Sequence, residues 1–362
     1  MNPLRGIGVH AAAKIARGSS ANHPMKAFDV SILILNWNGS AMLAQFLPSC
    51  LTSSQRYDVE VVVVDNASSD DSASVVAQTF GDTVRWLAHP DNLLFCRGYN
   101  RAIAGLNSRY VVLLNNDVAV TPHWLDPLVA RMDAEPDLAA LQPKMRAHAD
   151  PISFEYAGAC GGYVDPYGYP YARGRVFDTV EQDVGQYDSP VDVDWASGAA
   201  MLVRTEIWKE LGGLDERFGM HMEEIDWCLR ARRAGYRIGV VPESVVYHVG
   251  GASLASGNPR KVYYNHRNSL WMLYMHTGTL DWPKVSRIRF LLDMIAMLRA
   301  LCLGRAQEAR SIYRARRDAM RALGRHDGHT QTLPSTSGYR GSIVWAYYGK
   351  RLKTVKQLLA TR

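Results

Sequence analysis

Residues 30–39 read VSILILNWNG, residues 61–72 read VVVVDNASSDDS and residues 110–118 read YVVLLNNDV. Each is a short, mostly apolar run that soon reaches Asn or Asp. Continuous apolar runs of this length suit strands covered on both faces. Helix signals fill the spaces between them, over Ser40–Thr52, over Ser72–Phe80 behind the N-cap-like cluster Ser69, Asp70 and Asp71, and over Phe95–Leu106 after a short strand at Val84–Leu87. Pro122 stands where a further helix would begin. The alternation is a βαβαβ series, so the fold class is α/β with a mainly parallel, Rossmann-like sheet. Ligands of such sheets bind at the carboxyl ends of the strands. Asn36, Asn38, Asp65, Asn66, Asn115, Asn116 and Asp117 gather there.

Working outward, the Gly-, Tyr-, Pro- and Asp-rich stretch 150–194 reads as long loops or irregular hairpins, which in a compact domain usually cover a site. A strand is expected at Ala199–Val203, a helix at Glu223–Ala234 and a strand at Ile238–Val241, with arginine-rich helix beyond Pro283. The 362 residues are 47% hydrophobic and 21% charged. That is ordinary globular usage with room for a sizeable core, and it excludes disordered, collagen-like and disulfide-stapled chains. The net charge of +6 conceals an acidic body, −11 over residues 27–283, between ends carrying +4 (1–26), +8 (284–326) and +5 (327–362). An acidic body argues against nucleic acid as the partner. Five scattered cysteines without a CxxC pair exclude a zinc ribbon and fit a reduced, cytoplasmic compartment. No uncharged apolar run reaches the roughly 18–20 residues of a membrane span. The nearest, Phe290–Leu303, is interrupted by Asp293 and Arg299, and the N-terminus lacks a secretory h-region. Three parts are expected: a disordered basic arm (1–26), a catalytic domain (27–283) and a basic amphipathic helical extension (284–362). The extension suits either an anionic membrane surface or a contact with the catalytic domain or another copy.

Both common phosphate cradles, GxGxxG after the first strand and GxxxxGK[ST], are absent. A Rossmann dehydrogenase and a P-loop kinase are therefore disfavoured, and a nucleotide would be held through a divalent metal instead. Asp117, behind a buried-type strand and two amides, suits a hard cation such as Mg²⁺ or Mn²⁺, or else a strand-ending Asx turn. His248, between an apolar run and Gly250-Gly251, is a ligand only if folding brings it to Asp117, and imidazole suits Mn²⁺ better. Glu223, Glu224 and Asp226 open a helix that closes on Arg230, Arg232 and Arg233, as the helix dipole favours. The same acids could supply a general base of raised pKa. Trp195, ahead of Ser197 and Gly198, could stack on a sugar or sit in the core. Arg267 and Asn268 could bind a diphosphate or start a solvated helix.

Those stretches, with DNLLFCRGYNRAI (91–103), WASGAAMLVR (195–204), MHMEEIDWCLRARRAGY (220–236), VVYHVGGAS (245–253) and YYNHRNSL (263–270), resemble in order the family 2 glycosyltransferases, within them the rhamnosyltransferase-like branch of bacterial polysaccharide synthesis. The resemblance spans about Val30 to Asn268. It implies a GT-A fold, a nucleoside-diphosphate sugar donor and a glycan or lipid-linked acceptor at the cytoplasmic membrane face. It places Leu35, Asn36 and Trp37 at the base pocket and Asp65 on the base or ribose. Asn92, Arg97 and Asn100 would shape the donor pocket, with Asn116 beside it. Asp117 and His248 would hold Mg²⁺ or Mn²⁺, Asn115 and Asn116 standing where many relatives carry further acids. Glu224 would be the catalytic base, with Glu223 as the alternative, where relatives often read Glu-Asp. Leu94 stands where glycine is common.

One base and direct displacement imply inversion. Rhamnose is the first sugar suggested, with galactose, glucose and N-acetylhexosamine open. A sugar-nucleotide nucleotidyltransferase would share the sheet and the metal aspartate, but it needs a Gly- and Lys/Arg-rich loop where this chain has Asn-Trp-Asn-Gly-Ser. A catalytically inactive binding or scaffold relative fits the thinned Asn-Asn-Asp motif but not the retained Asp117, Glu224 and His248.

Overall fold

The computed structural model describes residues 28–250, 258–323 and 338–361. The expected basic arm and the end of the 245–253 motif lie outside them. Along the chain run β1 (Val30–Asn36), α1 (Ser40–Cys50), β2 (Val59–Asp65), α2 (Ser72–Phe80), β3 (Arg85–Ala88), α3 (Leu94–Ala104), β4 (Tyr110–Asn115), β5 (Val118–Val120), α4 (Leu125–Ala134) and β6 (Leu138–Ala147). Then come β7 (Gly162–Val164), β8 (Pro170–Ala172), β9 (Arg175–Val176), β10 (Thr179–Val180), β11 (Val191–Asp192), β12 (Ala200–Arg204), α5 (Thr205–Glu210), α6 (Glu223–Arg233) and β13 (Arg237–His248). Helices α7 (Pro259–His276), α8 (Trp282–Cys302), α9 (Ala306–Leu323) and α10 (Val355–Leu359) follow, with a π-helical turn at Trp345–Gly349 ahead of α10.

The main sheet has the order β11-β13-β6-β12-β4-β1-β2-β3, with β5 paired to β13. Strands β3, β2, β1 and β4 are mutually parallel, as the apolar runs require. Their side chains alternate between two cores. Leu33, Val62, Val64, Val111 and Leu113 face one, and Ile32, Ile34, Val61, Val63, Val112 and Leu114 face the other. Burial on both sides is why the central residues Ile32–Leu35, Val61–Val64 and Val111–Leu114 are all apolar. The other half of the sheet is mixed. Strand β12 runs antiparallel to both β4 and β6, while β13 runs parallel to β6. Strand β13 extends from Arg237 to His248, well past the expected Val241, with an irregularity between Val241 and Val245, around Pro242, which has no N–H for the ladder. Its last residues pair antiparallel with β5, His248 opposite Val118. The stretch 150–194 supplies a four-stranded sheet, β10-β9-β8-β7, in addition to loops.

The expected boundary at 283/284 does not separate two bodies. Trp271, Met272, Ile343, Ala346, Val355 and Leu358 belong to the same apolar cluster as Leu33 and Val62. The Arg289 guanidinium donates to Tyr167 O at 2.8 Å and to Ser269 Oγ at 2.7 Å. Helix α9 is amphipathic as expected, burying Ile312, Ala315, Ala319 and Leu323 beneath its arginines. Helix α8 is the reverse. It buries Arg289, Asp293 and Ala300 and exposes Leu291, Ile295 and Leu298.

Candidate active site

The carboxyl ends of β1, β2 and β4 are tied together by one buried amide. Asn36 Nδ2 donates to Asp65 Oδ1 at 3.1 Å, to Ser68 Oγ at 3.2 Å and to Ser72 Oγ at 3.0 Å. Its Oδ1 accepts from Asn116 Nδ2 at 3.0 Å. Asp65 in turn accepts from the Ser68 amide and hydroxyl. Asn36 and Asn116 thus use these groups on each other and on neighbouring strand ends. Trp37 is 59% exposed, and Leu35 lies half-buried against Gly98.

Folding brings the two metal candidates together. Pairing of β5 with β13 puts His248 Nε2 3.1 Å from Asp117 Oδ1, both side chains buried. Asn115 Nδ2 lies 3.4 Å from the same ring nitrogen. Glu155, which the sequence reading did not single out, stands behind the ring, Oε1 3.2 Å from Nδ1. Its Oε2 is fixed by the amides of Ala157 and Gly158 at 2.6 and 3.0 Å. Glu155 lies in the loop-rich stretch without a motif, so only the fold reveals it. Burial works to lower the His248 pKa, but the carboxylates of Asp117 and Glu155 outweigh it and raise it to about 10. Among the described residues no third His, Cys, Asp or Glu completes a protein-only metal cage. One carboxylate and one imidazole fit a divalent ion whose remaining positions are filled by phosphate oxygens and water.

The acids at the start of α6 lie close by. Asn115 N donates to Ala199 O at 2.9 Å, and a methyl group on the adjacent Gly198 would stand 3.5 Å from Glu224 Cβ and 3.2 Å from Phe95 Cζ. Gly198 therefore lets the acids approach the strand ends. Burial pushes the Glu224 carboxyl up to about 7. Glu223 is raised well above the usual range, by burial first and then by the charge of Glu224. Each has an Oε2 that is enclosed without a hydrogen-bond partner. Asp226, one turn on, is held by Arg230 and His276 at 2.8 and 2.9 Å and anchors the helix.

The chain enters this helix through His221 and Met222, both at positive φ. Asn268 restrains that turn, its Nδ2 donating to the carbonyls of Phe218, Met220 and His221 at 3.0, 2.8 and 2.8 Å. Arg267 donates to the Arg217 and Phe218 carbonyls at 3.1 and 2.8 Å. This corrects the expected diphosphate role of Asn268, which is fully buried and spends its amide on the loop; Arg267 reinforces the same loop. Trp195 is likewise a core residue, 1% exposed, its Nε1 donating to Tyr163 O at 3.0 Å. Ser197 is buried, its amide donating to Gln142 Oε1 at 2.7 Å. Asn100 is paired through both ends of its amide with the backbone of Leu214, tying α3 to the loop after α5. Asn92 Oδ1 accepts from the Leu94 amide at 2.9 Å. Leu94 has φ +59°, which explains why glycine suits that position. Arg97 is exposed, 3.5 Å from Glu216.

A family model described as glycosyltransferase like family 2 matches residues 27–262. The chain belongs to that family. Among curated relatives of this family 2 glycosyltransferase is the N-acetylglucosaminyl-diphospho-decaprenol L-rhamnosyltransferase of Mycobacterium tuberculosis, 27% identical over 315 residues, 82% of this chain and 98% of the relative. A rhamnosyltransferase of Escherichia coli, WbbL, is 41% identical over 56 residues, 16% of this chain and 21% of that protein. The solved structure of GalNAc-T7 with UDP, GalNAc and Mn²⁺ is similar at a TM-score of 0.54 and 15% identity, over 68% of this chain and 48% of that one. A Pyrobaculum calidifontis mannosyltransferase with GDP-Man and Mn²⁺ is similar at a TM-score of 0.50 and 15% identity, covering 84% of this chain and 81% of that one. The fold is α/β of the GT-A type, and the protein is a glycosyltransferase.

Proposed function

We propose that this glycosyltransferase moves a sugar, with inversion, from a nucleoside-diphosphate donor to a lipid-linked glycan acceptor, working at the cytoplasmic face of a membrane. The observation that carries the reading is the meeting of Asp117 and His248, 3.1 Å apart, with Glu224, one of whose carboxyl oxygens is enclosed without a partner, beside Gly198. Asp117 and His248 would hold Mn²⁺ or Mg²⁺, which when bound offsets the negative charge of the leaving diphosphate. Glu224, as base, takes the proton from the acceptor hydroxyl. The hydroxyl oxygen bonds to the anomeric carbon as the bond from that carbon to the diphosphate oxygen breaks, through an oxocarbenium-like state. A pKa of about 7 suits a group that must be ionised before attack and accept a proton during it. Glu223, more strongly shifted toward its neutral form, is the lesser candidate. Likeness to the decaprenol-linked rhamnosyltransferase supports a rhamnose donor and a polyprenyl diphosphate acceptor.

The test is release of nucleoside diphosphate from a panel of sugar nucleotides, with and without Mn²⁺. Diphosphate release with sugar transfer is expected. Formation or consumption of pyrophosphate would identify a nucleotidyltransferase, and no turnover of any donor would identify a binding subunit. Glu224→Gln should abolish transfer, by a factor of about 10² to 10⁴, while nucleotide binding survives. Near-normal transfer by that variant would remove Glu224 from the role.

A further inference from the structure

Helix α8 is built inside out for a helix in water. Its inward side carries Arg289 and Asp293, each 1% exposed and paired at 3.1 Å, with Arg316 on the same carboxylate at 3.0 Å. Its outward side carries Leu291, Ile295 and Leu298 at 60%, 60% and 56% exposure, with exposed Cys302 one turn further. Spacings of four, three and four residues put all four on one stripe. Lys284 begins that stripe, and Arg287 and Arg299 flank it, all three exposed. Tyr348, itself half-exposed, lies under the Arg299 guanidinium at 5.9 Å, and the neighbouring Trp345 is 65% exposed. Apolar residues ringed by cations, with Trp and Tyr beside them, are the make-up of a surface that sits in the headgroup layer of a bilayer. No helix among the described residues is long and apolar enough to cross one.

We propose that the outer face of α8 docks the enzyme on an anionic lipid bilayer, the stripe from Leu291 to Cys302 entering the interface and Lys284, Arg287 and Arg299 meeting the lipid phosphates. Charge selects this occupant over a second copy of the chain, because a symmetric contact through the same face would bring its cations together. The acidic body, −11 over residues 27–283, is repelled by the same lipids, so the basic helical face is the one that approaches. The inference deepens the lipid-linked acceptor reading and shares its premise that the acceptor lies in a membrane. Vesicles containing no acceptor test it separately from sugar transfer.

The experiment uses the full chain and two kinds of vesicle, phosphatidylcholine alone and phosphatidylcholine with phosphatidylglycerol, measured by flotation. Cys302 is the exposed one of five free cysteines, so an environment-sensitive dye placed there reports entry into the lipid. Binding to the phosphatidylglycerol vesicles with a blue shift of the dye is expected. The triple variant Leu291→Gln, Ile295→Gln, Leu298→Gln should weaken binding by about a hundredfold. Each of Lys284→Gln and Arg287→Gln should weaken it about fivefold. An unchanged thermal unfolding midpoint shows that the variants fold, since every altered side chain is exposed. Undiminished vesicle binding by the triple variant would overturn the proposal. So would a parent that ignores both vesicles but is dimeric, with the triple variant monomeric, because the face would then be a contact between copies.

Discussion

At the residue scale, the site depends on carboxyl groups whose surroundings set them apart. Burial raises Glu224 to about 7, and a base must be deprotonated to work. We therefore expect kcat/KM to rise with pH through about 7, and the limb to vanish in whatever residual activity Glu224→Gln retains; a limb unmoved by the substitution would assign it to another group. The linkage to stability has the opposite sense. A folded-state pKa raised above the ordinary 4.5 means that the native protein holds a proton the unfolded chain has released. This contribution is full below about pH 4.5 and is lost as pH rises through about 7. Glu155 acts through another residue, bracing His248 from the side away from Asp117. A carboxylate behind a ligating imidazole orients the ring and raises its basicity. Glu155→Gln should weaken Mn²⁺ binding about tenfold, read directly by electron paramagnetic resonance of the free ion. Unaltered Mn²⁺ affinity would reduce Glu155 to a structural partner.

At the scale of elements, the start of α6 is held in place from α7. The turn 218–222 contains two consecutive non-glycine residues at positive φ, which the chain would not adopt without support. The Asn268 amide supplies it by capping three carbonyls. Asn268→Ala takes the side-chain donor from the Met220 and His221 carbonyls, leaving Arg267 on Phe218, and should cost about 1–3 kcal/mol, seen as a lower denaturation midpoint. Because Glu223 and Glu224 follow directly, kcat should fall more than the donor KM changes. A loss confined to KM would point back to a direct ligand role. The motif around Asn268 was legible in the sequence, but its task was not. Hydrogen-bond partners some 50 residues away are set by the packing of α7 on the 217–221 loop, which no local pattern encodes. Strands β1, β2 and β4 were legible for the contrary reason. Burial on both faces forces an unbroken apolar run, and that signal is local.

At the scale of the whole molecule, the C-terminal helices complete the catalytic core. Ile343 N donates to Asp165 Oδ2 at 3.0 Å, and Val355 and Leu358 are fully buried in the cluster that holds Leu33 and Val62. A chain ended at residue 283 should lose its cooperative thermal transition and precipitate, because that cluster would be opened to water. A truncated protein that kept the parent's unfolding midpoint would restore the view of the extension as an appendage. The composition places an acidic body between basic ends, and the described part of the C-terminal basic end packs into the core of that body.

The parallel half of the sheet, the polar strand ends and the paired acids are legible in the sequence, because strand burial, turn chemistry and helix polarity act over a few residues. Only the tertiary structure decided that His248 meets Asp117, that Glu155 stands behind it, that Trp195 and Asn268 are internal supports, and that α8 turns its charges inward. Each depends on pairings between segments distant in the chain, such as β5 with β13, and is fixed by which faces the packed core closes off from water.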